Sequence, residues 1–265
     1  MKEIEKGWQE FWAGFFRIRH RHAIEGIRDF DRKLASHIIE TLELKPDDRV
    51  LDLACGGGDQ AIELARRGMG VVGVDIAHSL VDYANSNARN EHLQAEFMQG
   101  DMRETRFREE FDSCMILCGF GFFDDGGNRQ VLDVVRNALK EGGQFYIFGP
   151  NPLTRIREHW KGWEMVDDGY LLMESRYDAV TGRTTDGFRY FECSGGLIVF
   201  KQKPEDKGFS LETRWYTLPE MIDLIETAQL VFRAAYGSIE LPPEEYTIAS
   251  KEMVVVGRKP SPIPI

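Results

Sequence analysis

Cysteine and long apolar runs are scarce in this sequence. Its 265 residues include four cysteines, none of which forms a Cys-x-x-Cys pair or a metal-ligand spacing with the six histidines. This pattern argues against a disulfide scaffold or a metal site. It favours reduced thiols in a cytoplasmic protein, with arsenic or metal chemistry at the thiols as the alternative. No apolar run approaches the ~20 residues of a membrane span, and the N-terminus lacks a signal-peptide pattern. We therefore expect a cytoplasmic protein without membrane contact.

Positive charge is also in short supply. The chain has 44 acidic residues against 33 Lys and Arg, which gives a formal net charge of -11. A surface with this balance repels nucleic acid. The sequence has no basic stripe with interleaved aromatic residues beyond the short cluster at residues 17–22. We expect a small-molecule partner and no nucleic acid.

Between residues 50 and 149 the sequence alternates between strand-like and helical patterns. The strand-like segments are 50–53, 70–74, 95–99, 113–117 and 144–148. The helical segments are 59–67, 79–89, for which Ser79 is the predicted cap, and 129–140. This alternation predicts a parallel sheet with crossover helices.

The pattern changes after Pro150. Strand-like runs at 170–177, 187–193, 197–202 and 209–215, joined by turn sequences, predict an antiparallel meander. A helix at 218–228, with Pro219 in its first turn, and two strands at 230–236 and 252–258 then complete the alternating part. We therefore predict an N-terminal helical cap (1–45), a core (46–152 and 217–260) and a β-rich insertion (153–216) that covers a substrate.

A glycine turn follows the first strand. Residues 50–58 read Val-Leu-Asp-Leu-Ala-Cys-Gly-Gly-Gly, and the next strand ends on Asp75. A glycine turn lets a ligand approach the backbone closely, and an acid at the following strand end suits a ribose diol. The pair predicts a site for a nucleoside-containing cofactor.

Asp52 indicates which cofactor this is. Gly56-x-Gly58-x-x-Ala61 also satisfies the dinucleotide fingerprint, so an NAD or FAD enzyme is an alternative. A carboxylate within the preceding strand would repel the pyrophosphate that such a turn binds. It would attract a cation, by roughly a few kcal/mol in a partly buried cleft, and S-adenosylmethionine carries a sulfonium and an ammonium. Asp101 and Met102, after the third strand, are placed to bracket its adenine.

These motifs resemble those of class I S-adenosylmethionine-dependent methyltransferases. Residues 50–58 match the first motif, Asp75 the acidic end of the second strand, and residues 100–102 the third motif. The fourth strand and the turn before the fifth match at residues 111–117 and 139–143. The sequence also resembles a subgroup of these enzymes that acts on small molecules and has a β-rich insertion after the fifth strand. This similarity extends through residues 120–124, 177–183, 214–220, 236–237 and 254–260.

The resemblance implies an α/β fold with a Rossmann-like, doubly wound, mostly parallel seven-stranded sheet and an antiparallel β insertion. It implies S-adenosylmethionine as the cofactor and S-adenosylhomocysteine as its product. The implied cofactor-binding residues are Asp52, Ala54, Cys55, Gly56, Gly58, Asp75, Ile76, Asp101, Met102 and Cys118. Two features depart from the family. Ala54 replaces the usual glycine and should narrow the cofactor approach, and the loop at 118–122 is apolar where the subgroup often has polar residues.

No general base can be identified from the sequence. Methyl transfer from a sulfonium requires alignment and desolvation more than covalent help, and a base only where the nucleophile must lose a proton. His20 and His22, in an N-terminal helix with an apolar stripe, are candidate catalytic residues, as are Arg214 and Tyr216, on one face of a strand. The candidate acceptor-binding residues are Phe120, Trp160, Arg176, Tyr190, Arg214 and Tyr216.

The sequence therefore predicts a methyltransferase that acts on a small molecule. The alternatives are a protein that binds S-adenosylmethionine without transferring its methyl group and an NAD-dependent oxidoreductase of related topology. An exposed edge of the meander would suit a homodimer.

Overall fold

The computed structural model describes residues 24–157, 161–166, 169–194, 197–198 and 209–261. Its helices are α1 (Ile24–Leu42), α2 (Asp59–Arg66), α3 (His78–Asn90), α4 (Asp125–Ala138), α5 (Pro152–Arg157) and α6 (Leu218–Thr227). The first strands are β1 (Arg49–Leu53), β2 (Gly70–Asp75), β3 (Ala95–Gln99), β4 (Phe111–Leu117), β5 (Leu139–Pro150) and β6 (Lys161–Val166). The others are β7 (Gly169–Asp178), β8 (Arg183–Ser194), β9 (Leu197–Ile198), β10 (Phe209–Arg214), β11 (Val231–Tyr236) and β12 (Glu252–Arg258).

The core is a seven-stranded sheet in the order β11-β12-β5-β4-β1-β2-β3. β1 pairs in parallel with β2 and β4, and the parallel pairing continues to β3 and β5. β12 is antiparallel to both of its neighbours, β5 and β11. This topology confirms the predicted Rossmann-like, mostly parallel sheet. It also places the ends of β1, β2 and β4, where the predicted cofactor residues lie, along one edge.

Helices cover both faces of this sheet. Side chains of α1, α2 and α3 pack with Val50 of β1 in one buried cluster, and side chains of α4 and α6 pack with Leu51 and Leu53 in another. Successive residues of a strand point to opposite faces. A central parallel strand is therefore apolar at nearly every position. Asp52, in the middle of such a run, is the exception.

The insertion forms a second, antiparallel sheet in the order β10-β8-β7-β6, and β9 also pairs with β8. Two hydrogen bonds join this sheet to the loop after β4. The backbone N–H of Arg214 donates to the Gly121 carbonyl at 2.8 Å, and the side-chain Nη2 of Arg183 donates to the Phe123 carbonyl at 2.6 Å. The insertion is thereby held against the carboxyl edge of the core sheet.

Two predicted helix starts were wrong. The helix predicted from Ser79 begins at His78, because Ala77 occupies the cap position without a side-chain bond and its N–H donates to Asp75 at 2.8 Å. The helix predicted from residue 129 begins at Asp125, where the Asp124 carboxylate accepts a hydrogen bond from the Gly127 N–H at 2.7 Å.

Two elements of the structure, α5 and β6, were not predicted. The predicted helical cap is described only from Ile24 onward, as α1. His20, His22 and Trp160 lie outside the described residues. Within the described part of the chain, no helix is long and apolar enough to cross a membrane.

Candidate active site

The turn after β1 adopts a left-handed backbone at several positions. Its φ angles are 60° at Ala54, 54° at Gly56 and 78° at Gly58, the residue that precedes α2. The left-handed conformation is unfavourable for alanine. Space for the Ala54 methyl group comes from Gly119, where an added Cβ would lie 2.7 Å from the Ala54 Cβ. The loop after β4 therefore leaves room for an alanine at position 54, where the family usually has a glycine.

Asp52 is a buried carboxylate with an unmet hydrogen-bonding requirement. Its exposed fraction is 2%, and its Oδ1 accepts no hydrogen bond from any described residue. Burial raises the pKa of Asp52 well above its ordinary value, and the negative charges of Asp75 and Asp59 raise the pKa further. A charged group in such surroundings is costly unless a partner compensates it. A cationic ligand fits this site, whereas a pyrophosphate would be repelled by it.

Asp75 connects two turns of the site. Its Oδ2 accepts a hydrogen bond from the Gly56 N–H at 2.8 Å, and its Oδ1 accepts one from the Ala77 N–H at 2.8 Å. Burial raises the pKa of Asp75 despite these two bonds. Each carboxylate oxygen has a second lone pair, so the side chain can hold both turns and still accept hydrogen bonds from a diol. Ile76, the next residue, is half-buried, and its carbonyl accepts a hydrogen bond from Gln99 at 3.1 Å.

Asp101 is paired with Arg103, a residue that the sequence analysis missed. The carboxylate accepts hydrogen bonds from the backbone N–H of Arg103 at 2.8 Å and from the side-chain Nε of Arg103 at 3.0 Å. Partial burial raises the pKa of Asp101, but the Arg103 hydrogen bonds outweigh it and hold the pKa below its ordinary value. The guanidinium lies 4.1 Å from the centre of the Phe123 ring. Since Phe123 follows β4 and Arg103 follows β3, this contact spans the ends of β1 and β2.

Met102 and the thiols occupy different environments. Met102 is buried in the core cluster that also contains Leu51 and Leu53. Cys118, at the end of β4, is exposed, has a φ of 55° and donates its N–H to the Phe148 carbonyl at 2.7 Å. Cys55 is half-buried, and burial raises the pKa of its thiol. Burial therefore favours the neutral form of the Cys55 thiol, whereas Cys118 is exposed to solvent, and neither forms a disulfide.

Arg214 and Tyr216 lie at the junction between the insertion and the core. Arg214 Nη1 donates to the Trp215 carbonyl at 2.6 Å, Nη2 donates to Glu220 at 2.8 Å, and the guanidinium lies 4.5 Å from the centre of the Tyr216 ring. The Tyr216 hydroxyl donates to Asp125 at 2.6 Å and accepts from Asn128 at 3.0 Å.

Burial, followed by the hydrogen bond to Asp125, raises the pKa of Tyr216 well above its ordinary value. A phenol with this pKa is a poor general base. The contacts of Arg214 and Tyr216 connect the insertion to the core, which is a structural role for both residues. Their catalytic role stays a prediction.

Phe120 and Arg176, two further predicted acceptor residues, lie in different parts of the described structure. Phe120 is half-buried, with its ring centre 5.8 Å from that of Tyr216. Arg176 is exposed and pairs with Thr185 across the insertion sheet. Tyr190 pairs with Leu171 in β8, and its side chain lies outside the described part of the molecule.

Comparison with known proteins identifies the core. Residues 50–143 match the family model described as a methyltransferase domain. They contain the glycine turn and the carboxylates Asp52, Asp75 and Asp101. Residues 50–143 therefore form a class I S-adenosylmethionine-dependent methyltransferase domain.

The curated relatives of the methyltransferase domain act on different acceptors. Demethylmenaquinone methyltransferase of Lactobacillus johnsonii is 28% identical over 182 residues, which is 63% of this chain and 70% of that protein. A 23S rRNA (uracil(1939)-C(5))-methyltransferase of Xanthomonas euvesicatoria is 38% identical over 199 residues, or 72% of this chain. The chain spans only 41% of the length of the rRNA enzyme.

Solved structures share the fold over nearly the whole chain. A S-adenosylmethionine-dependent methyltransferase from Clostridium acetobutylicum aligns with a TM-score of 0.76 at 17% identity and covers 93% of this chain and 99% of that one. The S-adenosylmethionine-bound amino pentose methyltransferase CalS10 from Micromonospora echinaspora aligns with a TM-score of 0.67 at 17% identity, covering 92% and 96%. At these identities the likeness establishes the fold.

The affinity of the methyltransferase domain for S-adenosylmethionine should fall as the pH is lowered. Protonation of Asp52 would remove the charge that we expect to complement the cationic cofactor, and burial raises the pKa of Asp52 in the free protein. The affinity should therefore be highest at pH values above the raised pKa of Asp52 and should fall as the pH drops below it. This fall should begin at a pH above the ordinary range of carboxylate pKa values. Calorimetry across a pH series, in buffers of different ionisation enthalpy, should also detect proton release on binding.

Asp52→Asn is the control for this pH dependence. The variant should bind S-adenosylmethionine more weakly at neutral pH, by about 10-fold or more for the loss of a charged hydrogen bond. Most of the pH dependence should disappear in the variant. An equal pH dependence in both proteins would show that Asp52 does not contact the cofactor.

One polar cluster in the insertion was missed by the sequence analysis. Thr184 and Asp186 of β8 are buried, and Thr184 accepts a hydrogen bond from Trp215 Nε1 at 2.9 Å. Arg155 of α5 lies 3.7 Å from the Asp186 carboxylate. Polar residues at alternate positions of a strand are the available sequence signal, but this signal does not distinguish a buried face from an exposed one.

Proposed function

We propose that this chain transfers a methyl group from S-adenosylmethionine to a small polar molecule held between the carboxyl edge of the core sheet and the insertion. The observation that carries the cofactor half of the proposal is Asp52. It is a buried carboxylate beside a left-handed glycine turn, and its Oδ1 receives no hydrogen bond from the described residues. A ligand that is both cationic and nucleoside-like satisfies this oxygen and the adjacent Asp75.

Each residue of the site has a distinct task in this proposal. S-adenosylmethionine, when bound, supplies an electrophilic methyl group on a sulfonium. Asp52 faces the positive charge of its amino acid portion, and Asp75 accepts the ribose hydroxyls while keeping the two turns in position. Asp101 and Met102 lie at the adenine, and Arg103, packed on Phe123, closes that end of the site. Alignment of the cofactor is the main catalytic contribution of these residues.

The insertion contributes the second wall of the active site. The hydrogen bonds of Arg214 and Arg183 to the loop after β4 hold it against the ends of the core strands. Phe120 and Phe123 of that loop are partly buried against the core. An apolar wall excludes water from the reacting centre, which favours displacement at a sulfonium because charge disperses as the bond breaks.

Two observations favour a small acceptor over RNA. The net charge of -11 opposes binding to a polyanion. The alignment with the amino pentose methyltransferase covers 96% of that chain, whereas the alignment with the rRNA methyltransferase covers 41% of that protein. The demethylmenaquinone enzyme makes a quinol-type acceptor the second candidate, since its alignment covers 70% of that protein.

A label-transfer assay tests the proposal. The full chain would be incubated with S-adenosylmethionine carrying a tritiated methyl group and, separately, with amino sugars and polyols, demethylmenaquinol, and a 23S rRNA transcript. We expect a labelled amino sugar or polyol. Label only in the rRNA would contradict the small-molecule acceptor. Absence of label in every sample, together with tight binding of S-adenosylhomocysteine, would favour the non-transferring alternative.

Thermal shift with individual ligands separates the oxidoreductase alternative. S-adenosylmethionine and S-adenosylhomocysteine should each raise the melting temperature, because a ligand that binds only the folded state stabilises it. NAD should leave the melting temperature unchanged. Stabilisation by NAD alone would contradict the cofactor assignment.

A further inference from the structure

Asp186 in β8 is a second buried carboxylate with an unmet hydrogen-bonding requirement. Its exposed fraction is 7%, and its Oδ1 accepts no hydrogen bond from the residues that the structure describes. Its Oδ2 lies 3.4 Å from Thr184 Oγ1 and 3.7 Å from Arg155 Nη2. Buried polar atoms of side chains nearly always have a partner, so an exception requires an explanation.

The position of Asp186 relative to the core points to the acceptor. Thr184, on the same face of β8, accepts a hydrogen bond from the Trp215 side chain. The neighbouring Arg214 N–H bonds to Gly121 in the loop after β4. Arg155 belongs to α5, which directly follows β5. The cluster therefore lies where the insertion meets the carboxyl ends of β4 and β5, at the edge of a parallel sheet where ligands bind.

The charge balance of the cluster indicates what the missing partner is. Arg155 neutralises the Asp186 carboxylate, but at 3.7 Å it makes no direct hydrogen bond. Thr184 Oγ1 donates to Oδ2 at 3.4 Å, whereas Oδ1 accepts no hydrogen bond from the described residues. Oδ1 therefore lacks a donor, although a compensating charge is already present. A hydroxyl or an amine N–H meets this need, whereas an apolar group does not.

Given the proposed function, we propose that Asp186 Oδ1 binds a hydroxyl or amine N–H of the methyl acceptor. The acceptor is then a small molecule with hydrogen-bond donors near its reacting atom. Asp186 serves to recognise and orient it. The S-adenosylmethionine site, at the ends of β1, β2 and β3, is separate from Asp186, so cofactor binding and acceptor binding should respond to different substitutions.

Asp186→Asn is the test variant, because the amide is nearly isosteric with the carboxylate. Its control is Glu212→Gln, an exposed carboxylate on the neighbouring strand β10 that pairs with Thr185. The substrates would be glucosamine, xylose, myo-inositol, demethylmenaquinol and a 23S rRNA transcript, with label transfer as the readout. For the acceptor that is methylated, we expect KM to rise about 10-fold or more in Asp186→Asn and to stay within twofold in Glu212→Gln. The Kd of S-adenosylhomocysteine should be unchanged in both variants.

Unfolding by urea provides a readout that needs no acceptor. Because Asp186→Asn also removes the charge that faces Arg155, the comparison variant is Arg155→Met, which removes the other partner of the same ion pair. If Asp186 is retained for a ligand, the unfolding midpoint of Asp186→Asn should not lie below that of Arg155→Met. A midpoint far below it would make Asp186 a structural residue and overturn the inference. An unchanged KM, transfer only to RNA, or no transfer to any of these acceptors would overturn it as well. Failure of the unsubstituted protein to bind S-adenosylhomocysteine would instead contradict the proposed function itself.

Discussion

Replacing Asp75 with alanine is expected to lower the affinity for S-adenosylmethionine by about 100-fold or more. The variant would lose the acceptor that we propose for the ribose hydroxyls, and a charged hydrogen bond of this kind contributes roughly 1.5–3 kcal/mol. It also loses the two 2.8 Å hydrogen bonds that hold the Gly56 and Ala77 backbone in position. A total of about 3 kcal/mol corresponds to a factor of about 100 in Kd. Isothermal titration calorimetry with the purified full chain measures this change directly.

Asp82→Asn is the matched control for Asp75→Ala. Asp82 is an exposed carboxylate on α3, and its ion-pair partner among the described residues is the exposed His78 at 3.2 Å. Its loss should leave the Kd of the cofactor unchanged. Asp75→Asn, which keeps one acceptor oxygen for the backbone, should fall between the two. An affinity of Asp75→Ala within about threefold of the unsubstituted protein would refute both roles of this carboxylate.

Gly121→Ala is expected to destabilise the protein by about 3 kcal/mol. Gly121 has a φ of 99°, which is unfavourable for an L-residue, and a Cβ there would lie 2.3 Å from the Arg214 carbonyl oxygen. Backbone strain contributes about 1–3 kcal/mol, and the displacement of a packed backbone adds about 1–3 kcal/mol. For a chain of this size the melting temperature should fall by roughly 6–12 °C. Differential scanning calorimetry measures the fall.

Gly149→Ala is the control for Gly121→Ala. Gly149 lies near the end of β5, and an added Cβ there would meet no atom of the described residues within 4 Å. Its melting temperature should therefore change little. The Gly121 variant should lose affinity for the acceptor more than for S-adenosylhomocysteine, because the clash is at the joint with the insertion. Equal melting temperatures in the two variants would contradict the close approach of Gly121 to Arg214.

The sequence was sufficient to predict the core sheet because its strands are strongly apolar and bounded by turns. β3 and β12 have the predicted limits, and the glycine turn after β1 lies where it was expected. The helix starts were missed for local reasons. The first turn of α4 contains two glycines, which do not resemble a helical pattern. The cap position of α3 is Ala77, which has no side-chain cap and donates its N–H to Asp75.

The candidate site was predictable only where strand order brings residues together. Asp52 and Asp75 lie on adjacent parallel strands, so their spacing along the chain already predicted their proximity. The Arg103–Phe123 contact and the Asp186–Arg155 pair join segments that are distant in the sequence. Such contacts depend on how loops and the insertion pack, which periodicity and motif spacing do not specify. Arg214 and Tyr216 were predicted to be neighbours, but their structural contacts could not be foreseen.

A crystal structure of the full chain with S-adenosylhomocysteine tests the central claim most directly. The cofactor should lie across the ends of β1, β2 and β3, with its ammonium within about 3.2 Å of an Asp52 oxygen. Its ribose hydroxyls should contact Asp75. Binding elsewhere on the chain, or an ammonium that does not contact Asp52, would contradict the assignment of the buried carboxylate to the cationic cofactor.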